Sequence, residues 1–562
     1  MQRFLTNLSR IAYFTMEIAL RNEIPTYSGG LGVLAGDTVR AAADLELPLI
    51  TVSLVSRAGY FRQQLQAGRQ VEQPDTWDPA QWATRLEAKI VVPIENRQVW
   101  VCGWLYVVEG QRGGRQPVVL LDTDLDENLP DDRQLTHWLY GGDDTYRFKQ
   151  EIILGVGGAR LLQALGFHIR RYHLNEGHAA LLTLELLRRN AYPPEQLEAG
   201  EPPYDVPKVR EHCIFTTHTP VDAGHDRFSW ELVRRVLDDF VDLPTLRRYA
   251  GERELNMTLL ALNLSDYVNG VAKRHAETSQ LQFPGYHIHA ITNGVHPFTW
   301  TSPGFVRLYD EAVPGWCHEP ELLTRARCCI PDAAIWSAHE QARQQLITMV
   351  RARTGVELDP KVAILGFARR MTAYKRPELL FSDVGRLRTI AARHPLQIVL
   401  AGKAHPHDEN GKRLIAMLHD HMRELAPAIR VAYLPNYDLE TALAMVSGSD
   451  LWLNTPLPPM EASGTSGMKA AFNGVPSLSV LDGWWIEGCI EGVTGWAIGK
   501  AEGISDGHAE ALYGKLTDTV LPLYYQDRAG WIAVMKGAIS HNASYFNSHR
   551  MMRRYAAEGY IR

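Results

Sequence analysis

The sequence has few cysteines, no excess of one charge and no long apolar run, and each shortage excludes a class of protein. Its 562 residues include six scattered cysteines without a Cys-x-x-Cys pair, so neither a disulfide framework nor a zinc cluster is expected. Its 58 basic and 64 acidic residues give a net charge of −6, without the basic excess of a nucleic-acid binder. No stretch approaches the roughly 18 apolar residues of a membrane span, and the polar N-terminus lacks a signal peptide's apolar run. A reduced, cytoplasmic enzyme without nucleic-acid or membrane partners is expected.

Short apolar segments alternate with helix-length segments through most of the chain. The predicted strands are Ile11–Met16, Leu49–Leu54, Ile90–Val92, Val118–Leu121, Arg171–Leu174, Cys213–Thr216, Val362–Phe367, Gln397–Ala401, Ile429–Tyr433, Leu451–Asn454 and Pro476–Val480. Such alternation predicts an α/β fold of two doubly wound, Rossmann-like domains with parallel sheets that face a central cleft. We place the division at residues 1–295 and 296–562, where glycine, proline and aromatic residues cluster. Ligands then bind at the carboxyl ends of the strands.

The segment Glu461-Ala-Ser-Gly-Thr-Ser-Gly-Met-Lys469 follows a predicted strand and opens a predicted helix, Met468–Asn473. Backbone N–H groups from Gly464 to Gly467, with the helix dipole behind them, can bind an anion. The lysine can neutralise that anion or form a Schiff base with an aldehyde. A glycine-rich turn with a surface lysine is an equally good interpretation of the spacing alone.

A second cationic segment, Arg369-Arg-Met-Thr-Ala-Tyr-Lys-Arg376, follows the predicted strand Val362–Phe367. Arginine binds phosphate through its two-pronged guanidinium, and lysine acts as a point charge. The alternative is a solvated helix face. Taken together, the two segments predict a site that holds two anions.

Several blocks of this sequence resemble the α-glucan phosphorylases, the family of the glycogen and maltodextrin phosphorylases. The stretch EASGTSGMKAAFNGVPSLSVLDG resembles their pyridoxal-phosphate lysine region, and RRMTAYKR resembles their substrate-phosphate segment. Further matches occur in family order: YFTMEIAL with YSGGLGVLAGD, GYFRQ with QVEQPDTW, HLNEGHAALLTLEL, TNGVHPFTW, and RMMRRYAAE near the C-terminus. The resemblance runs from about residue 12 to residue 556 and implies the GT-B glycosyltransferase architecture.

The resemblance implies a reversible, retaining phosphorolysis of α-1,4-glucan or maltooligosaccharide to glucose 1-phosphate. Lys469 matches the lysine that holds pyridoxal 5'-phosphate, whose phosphate helps the substrate phosphate to donate its proton. The other implied cofactor contacts are Thr465, Ser466, Arg369 and Trp300. The implied catalytic groups are Lys469, Arg370, Lys375 and His178.

The resemblance also implies how the sugar and phosphate are bound. The implied substrate contacts are Gly30, Leu31, His178, Asn293, Tyr374, Glu461, Ser463 and Gly464. The N-terminal domain would bind the glucan and glucose, and the C-terminal domain would carry the cofactor and phosphate. The last helix would pack back on the N-terminal domain. A homodimer is weakly favoured.

Several of these residues have plainer interpretations. His178 could be a core histidine, Asn293-Gly294 a turn, and Trp300 merely a buried aromatic residue. His218 and His225, seven residues apart in the segment THTPVDAGHD, could bind a metal, but a structural role on a loop is favoured, and no metal site is predicted.

The chain departs from the family's animal and plant members at Ala19, Thr372-Ala373, Asp438 and Ser466-Gly467, and it is shorter than they are. These differences indicate a compact bacterial-type branch. Two other functions remain open: a nucleotide-sugar glucosyltransferase like a glycogen or starch synthase, and an inactive glucan-binding paralogue.

Overall fold

The computed structural model describes residues 9–198, 201–221, 224–500 and 507–561, which form two large β-sheets surrounded by helices. Residues 1–8, which belong to the N-terminal stretch where no signal peptide is predicted, lie outside this part. Strands β1 to β19 are Ile11–Thr15, Leu49–Leu54, Arg62–Gln66, Arg69–Gln73, Thr84–Ile94, Arg97–Glu109, Arg115–Asp122, Arg171–Asn175, Cys213–Thr216, Arg227–Ser229, Glu254–Asn256, Tyr267–Gly270, His289–Ala290, Ala363–Ala368, Leu396–Ala401, Val431–Leu434, Leu451–Asn454, Ser477–Val480 and Gly495–Ile498.

The α-helices, numbered α1 to α23 in chain order, pack around these sheets. They are Gly30–Asp44, Pro130–Arg133, Asp144–Ile152, Gly158–Ala164, Leu182–Arg189, Val206–His212, Trp230–Leu237, Leu243–Ala250, Met257–Asn263, Lys273–Gln282, Pro297–Trp300, Pro303–Ala312, Ala326–Cys329, Asp332–Thr354, Val384–Arg393, Glu409–Leu425, Leu439–Gly448, Ser466–Ala471, Trp485–Gly488, His508–Lys515, Leu521–Gln526, Arg528–Gly537 and Ser548–Tyr555. No helix in the described ranges is both long enough and apolar enough to cross a lipid bilayer.

The first sheet has nine strands in the order β13-β12-β9-β8-β1-β2-β7-β6-β5. Its strands are parallel from β13 to β7, and β6 and β5 add an antiparallel edge. The predicted short strand Ile90–Val92 is part of the longer β5, and its partner β6 was not predicted. The prediction was incomplete because most residues of β5 are exposed or half-buried, so β5 lacks the continuous apolar run of the parallel strands.

The second sheet has six strands in the order β16-β15-β14-β17-β18-β19, all of them parallel. All of the residues of β14 and β15 are buried, because helices cover both faces of this sheet. The mixed α/β class and the parallel sheets therefore agree with the sequence-based prediction. Two small antiparallel hairpins, β3–β4 and β10–β11, lie outside the two sheets.

The C-terminal helix α23 packs against the first sheet although it follows the second sheet in the chain. Met551, Met552 and Tyr555 belong to the apolar cluster that covers one face of β1 and β2. The Tyr555 hydroxyl accepts a hydrogen bond from Asn269 Nδ2 at 3.0 Å. The closing segment of the chain thus completes the core of the N-terminal sheet.

Candidate active site

A cavity of about 1460 Å³ lies where the carboxyl ends of strands from both sheets meet. From the second sheet it is lined by residues that follow β14, β15, β16 and β17, and from the first sheet by residues that follow β1, β8 and β9. The predicted residues that line it are Gly30, Leu31, His178, Asn293, Arg369, Arg370, Tyr374, Lys375, Glu461, Ser463, Gly464, Thr465, Ser466 and Lys469. Trp300 lies directly beneath Lys469. The fold therefore brings together residues that are more than 400 positions apart in the chain.

Lys469 is buried, with 6% of its surface exposed, and its Nζ lies 3.9 Å from the centre of the Trp300 ring. Burial lowers its pKa to about 8, and the Asp37 carboxylate opposes that shift. The interpretation as a surface lysine is therefore wrong. A larger fraction of this amine is unprotonated near neutral pH than in an ordinary lysine, which favours attack on an aldehyde.

Trp300 is held from both sides. Its Nε1 donates to the buried Asp37 carboxylate of α1, at 3.0 Å to Oδ1 and 2.8 Å to Oδ2. Asn473 Nδ2 donates to the Trp300 carbonyl at 2.7 Å and to the Lys469 carbonyl at 3.1 Å. These bonds fix the indole ring relative to the helix that carries the lysine, so Trp300 is more than a filler of the core.

Glu461 connects two of the predicted cationic residues. Its Oε2 accepts from Arg369 Nη2 at 2.5 Å and from Lys375 Nζ at 2.6 Å, and all three side chains are buried. Burial by itself would raise the pKa of Glu461, but the two cations outweigh it and lower the pKa to about 2. Glu461 was predicted to bond sugar hydroxyls, whereas here its Oε2 holds the cationic pair.

Four buried polar atoms of the cavity residues lack a hydrogen-bond partner within the described ranges. They are Arg369 Nη1, Ser463 Oγ, Asn293 Oδ1 and His178 Nδ1. Leaving a buried polar atom unpaired costs about 1–3 kcal/mol, so a ligand that pairs with these four atoms would be stabilised. Their common position around one cavity fits a polar ligand with several hydroxyl or phosphate oxygens.

His178 contacts a carboxylate that sequence analysis did not single out. Its Nε2 lies 3.3 Å from Asp226 Oδ2, and Arg147 Nη2 donates to the same oxygen at 3.0 Å. Burial, reinforced by the Arg147 charge, lowers the pKa of His178 to about 4, so the imidazole is neutral at pH 7. The residue lines the cavity, which argues against a simple core role. Asp226 directly follows His225 in the sequence, and only the histidines of that segment were considered as functional residues.

Glu17 fixes the glycine loop that opens α1, and it too was missed as a site residue. Its Oε2 accepts from the backbone N–H of Ser28 at 2.6 Å and of Gly29 at 3.1 Å, and its Oε1 accepts from the Tyr140 hydroxyl at 3.0 Å. A Cβ on Gly32 would lie 2.6 Å from the Glu17 carboxylate, so the loop can pass this close only as glycine. Its position in YFTMEIAL, one of the blocks that resemble the phosphorylase family, could have identified Glu17 as a site residue.

Four other residues that the sequence analysis named form hydrogen bonds within the protein. Ser466 Oγ accepts from Trp452 Nε1 at 3.0 Å, and Asp438 caps α17 by accepting from Thr441 N at 2.8 Å. His218 Nε2 bonds Asn175 Oδ1 at 2.6 Å, whereas His225 Nδ1 bonds Thr258 Oγ1 at 2.9 Å. The two histidines therefore have different partners.

The fold and the site define an α/β protein with a buried, cation-lined cavity that carries an activated lysine. A family model described as carbohydrate phosphorylase matches residues 221–494. Maltodextrin phosphorylase of Thermococcus litoralis is 38% identical over 98% of this chain and 70% of its own length. Glycogen phosphorylases of Mycobacterium tuberculosis and Aquifex aeolicus are 37% and 34% identical over 98% of this chain, and over 70% and 86% of their own lengths. The chain belongs to the carbohydrate phosphorylase family.

Proposed function

We propose that this chain is an α-1,4-glucan phosphorylase, which transfers a glucosyl unit from the end of an α-glucan or maltooligosaccharide to phosphate and releases glucose 1-phosphate. The observation that carries the proposal is the buried, low-pKa Lys469 in the same cavity as Arg369, Arg370 and Lys375. A nucleotide-sugar transferase of similar architecture has no use for such an amine. The names of the relatives support the same reaction.

The residues around Lys469 fit pyridoxal 5'-phosphate. The amine suits covalent attachment of the aldehyde, and the unpaired Arg369 Nη1 and Ser463 Oγ are a cation and a hydroxyl that suit phosphate oxygens. Thr465 and Ser466 add hydroxyl groups at the cavity wall. When bound, this cofactor supplies a phosphate group that exchanges a proton with the substrate phosphate.

The buried carboxylates of the cavity support a phosphate-based mechanism over a retaining pair of carboxylates. Glu461 is held by Arg369 and Lys375, and Glu17 accepts from two backbone N–H groups. Glu176 Oε2 accepts from the His218 backbone N–H at 2.7 Å, and its Oε1 from that of Gly177 at 3.0 Å. Glu461 and Glu17 therefore serve as anchored acceptors. Burial raises the pKa of Glu176, but both of its oxygens are already occupied by backbone N–H groups.

The cationic residues bind and orient the incoming phosphate. Arg370 is exposed and lines the cavity. It lies close to the glycine loop at the start of α1, because a Cβ added to Gly29 would be 3.5 Å from Arg370 Nη2. Lys375 and Arg369 are already oriented by Glu461, so little further ordering is needed when an anion arrives. Their positive charge offsets the repulsion between two neighbouring phosphates, which would otherwise raise a phosphate pKa.

The sugar is held on the opposite wall. His178 Nε2 faces Asp226, which leaves the unpaired Nδ1 as an acceptor for a sugar hydroxyl. Asn293 Oδ1 is a second unpaired acceptor, and Tyr374 adds an aromatic wall. His178 and Asn293, which follow β8 and β13 of the first sheet, thus supply acceptors for sugar hydroxyls, and Tyr374 adds its ring from the second sheet.

We also propose that the two sheets belong to two Rossmann-like domains of the GT-B type, divided near residues 295 and 296. The two separate large sheets and the cavity at their carboxyl ends support this division. A homodimer and a cytoplasmic location stay predictions from the sequence.

The test is phosphate-dependent release of glucose 1-phosphate from maltoheptaose by the protein loaded with pyridoxal 5'-phosphate. Arg370→Gln is expected to reduce kcat/KM for phosphate by about 100-fold, because it removes a charge at the phosphate site. Arg393→Gln, at an exposed residue at the end of α15, is the matched control. Absence of release from the loaded protein, or glucosyl transfer from a nucleotide sugar in its place, would contradict the proposal.

A further inference from the structure

Asp44, His296 and His549 converge on one point outside the cavity. Asp44 ends α1, His296 directly precedes α11, and His549 is the second residue of α23. Asp44 Oδ2 lies 2.8 Å from His296 Nε2 and 3.0 Å from His549 Nε2. One potential ligand atom from each residue lies within 4.8 Å of the other two.

The cluster is buried and carries one formal negative charge when both imidazoles are neutral. The three side chains are at most 3% exposed. Both imidazoles contact the same carboxylate oxygen, Asp44 Oδ2. The other oxygen, Oδ1, accepts a hydrogen bond from the backbone N–H of Gln111 at 2.6 Å. The two rings stand at 87° to one another, 5.8 Å apart, so they approach Oδ2 from different directions. The three potential ligand atoms thus lie close together, at positions that are joined by hydrogen bonds when no ion is bound.

The outer contact of one histidine suits a metal ligand: His296 Nδ1 has a hydrogen-bond partner, whereas His549 Nδ1 has none within the described ranges. A metal-bound histidine donates its second ring N–H to an acceptor, and His296 Nδ1 lies 2.7 Å from Thr299 Oγ1. Without an ion, His296 Nδ1 accepts from the Thr299 backbone N–H at 3.3 Å. Ion binding at Nε2 moves the imidazole proton to Nδ1, from which it is donated to the Thr299 hydroxyl. The His296 imidazole stays neutral, so ion binding does not change the number of protons that it carries.

We propose that Asp44, His296 and His549 bind one divalent first-row transition-metal ion, with zinc as the best match. Two imidazole nitrogens and one carboxylate oxygen form a ligand set that suits zinc and its neighbours better than magnesium or calcium, which prefer oxygen ligands. Three protein ligands leave a fourth position for water.

The ion would tie three distant segments of the chain together. Helix α1 carries Asp37, which holds Trp300, and α11 ends at Trp300 beneath Lys469. Helix α23 belongs to the C-terminal segment that packs on the first sheet. The ion would therefore brace the scaffold below the lysine pocket, and its role would be structural, since these residues do not line the cavity.

The experiment measures metal content and thermal stability of the full chain. After treatment with a chelator and addition of Zn²⁺, wild type is expected to retain about one ion per chain after gel filtration and to unfold several degrees higher than without zinc. His549→Gln and His296→Asn should lose both effects. Asparagine can still cap α11, so the second change separates ligation from capping. His541→Gln, at an exposed histidine near the same C-terminal helix, should behave as wild type.

Equal zinc retention in wild type and the two ligand variants would overturn the proposal, as would binding of Mg²⁺ but not of Zn²⁺ or Co²⁺. Should a variant fail to fold, X-ray absorption by Co²⁺-loaded wild type decides. Two imidazole ligands are expected, and a spectrum without imidazole scattering contradicts the site. None of these measurements uses glucan, phosphate or pyridoxal phosphate, so the result is independent of the proposed reaction.

Discussion

The Lys469 amino group rests on the face of the Trp300 ring, 3.9 Å from its centre. The two residues come from different parts of the fold. Lys469 lies in α18, which follows the second sheet's strand β17, and the Trp300 indole is bonded to Asp37 of α1, which follows β1 of the first sheet. The position and the acidity of the proposed cofactor lysine therefore depend on contacts between both halves of the chain.

The first prediction concerns the acidity of Lys469. Because burial lowers its pKa to about 8, the initial rate at which the cofactor-free chain incorporates pyridoxal phosphate should rise with pH and level off above about pH 8. Borohydride reduction followed by peptide mass analysis identifies the labelled residue, and Lys469→Gln should take up none at this position. A midpoint near 10.5, the ordinary lysine value, would show that the amine is not perturbed.

The second prediction concerns Glu461. Glu461→Gln removes the carboxylate between two buried cations, and breaking a buried ion pair on one side costs about 3–5 kcal/mol. Thermal unfolding should show a clearly lower midpoint at pH 7, together with a higher KM for phosphate.

The Glu461 carboxylate should also make the thermal stability of the protein depend on pH. Its folded-state pKa of about 2 lies below the ordinary 4.5, so its contribution is complete above about pH 5 and is lost as the pH falls towards 2. The gap between the thermal midpoints of wild type and Glu461→Gln should therefore narrow over that window. A gap that stays constant from pH 6 to pH 3 would argue against the assigned acidity.

The third prediction uses two neighbouring glycines of the loop at α1. Gly32→Ala forces a methyl group to within 2.6 Å of Glu17 Oε2 and Tyr27 Cβ, so the thermal midpoint should fall. Gly30→Ala meets no atom within 4 Å and should fold normally. Because Gly30 lines the cavity, its variant should instead weaken substrate binding, seen as a raised KM. Equal thermal midpoints for the two variants would contradict the packing at Gly32.

The fourth prediction concerns the β3–β4 hairpin, which is hydrogen-bonded to the loop that follows β15 of the second sheet. Gln70 Nε2 donates to the Ala404 carbonyl at 2.9 Å, and its Oε1 accepts from the Ala404 N–H at 2.9 Å. The neighbouring Lys403 carbonyl accepts from Met371 N at 2.9 Å, next to Arg370. Gln70→Leu should therefore lower the thermal midpoint and raise the KM for phosphate.

Gln66→Leu is the matched control for this change, because that glutamine is exposed in the same hairpin. It should leave both the thermal midpoint and the KM unchanged. A Gln70→Leu variant with wild-type KM would show that the hairpin does not position the phosphate residues.

Sequence patterns predicted most of the parallel strands, because buried strands appear as short, continuous apolar runs, but the short parallel strands β12, β13 and β19 were missed. Strand β2 was predicted with the bounds that the structure has, and β14 was displaced by one residue at each end. Strand β6 was missed although it lies between β7 and β5 and its middle is buried, because Gly103 interrupts its apolar run and its strand partners cannot be inferred from its own composition.

By itself the sequence determined the α/β class, and its ordered blocks pointed to the residues that line the cavity, because strand patterns and motif spacing are local properties of a chain. Only the tertiary structure decided the partners of these residues. The Glu461 bridge to Arg369 and Lys375, the Asp226 contact of His178 and the meeting of Asp44, His296 and His549 join positions tens to hundreds of residues apart. Such contacts depend on how the sheets and the last helix pack together, and no local pattern encodes them.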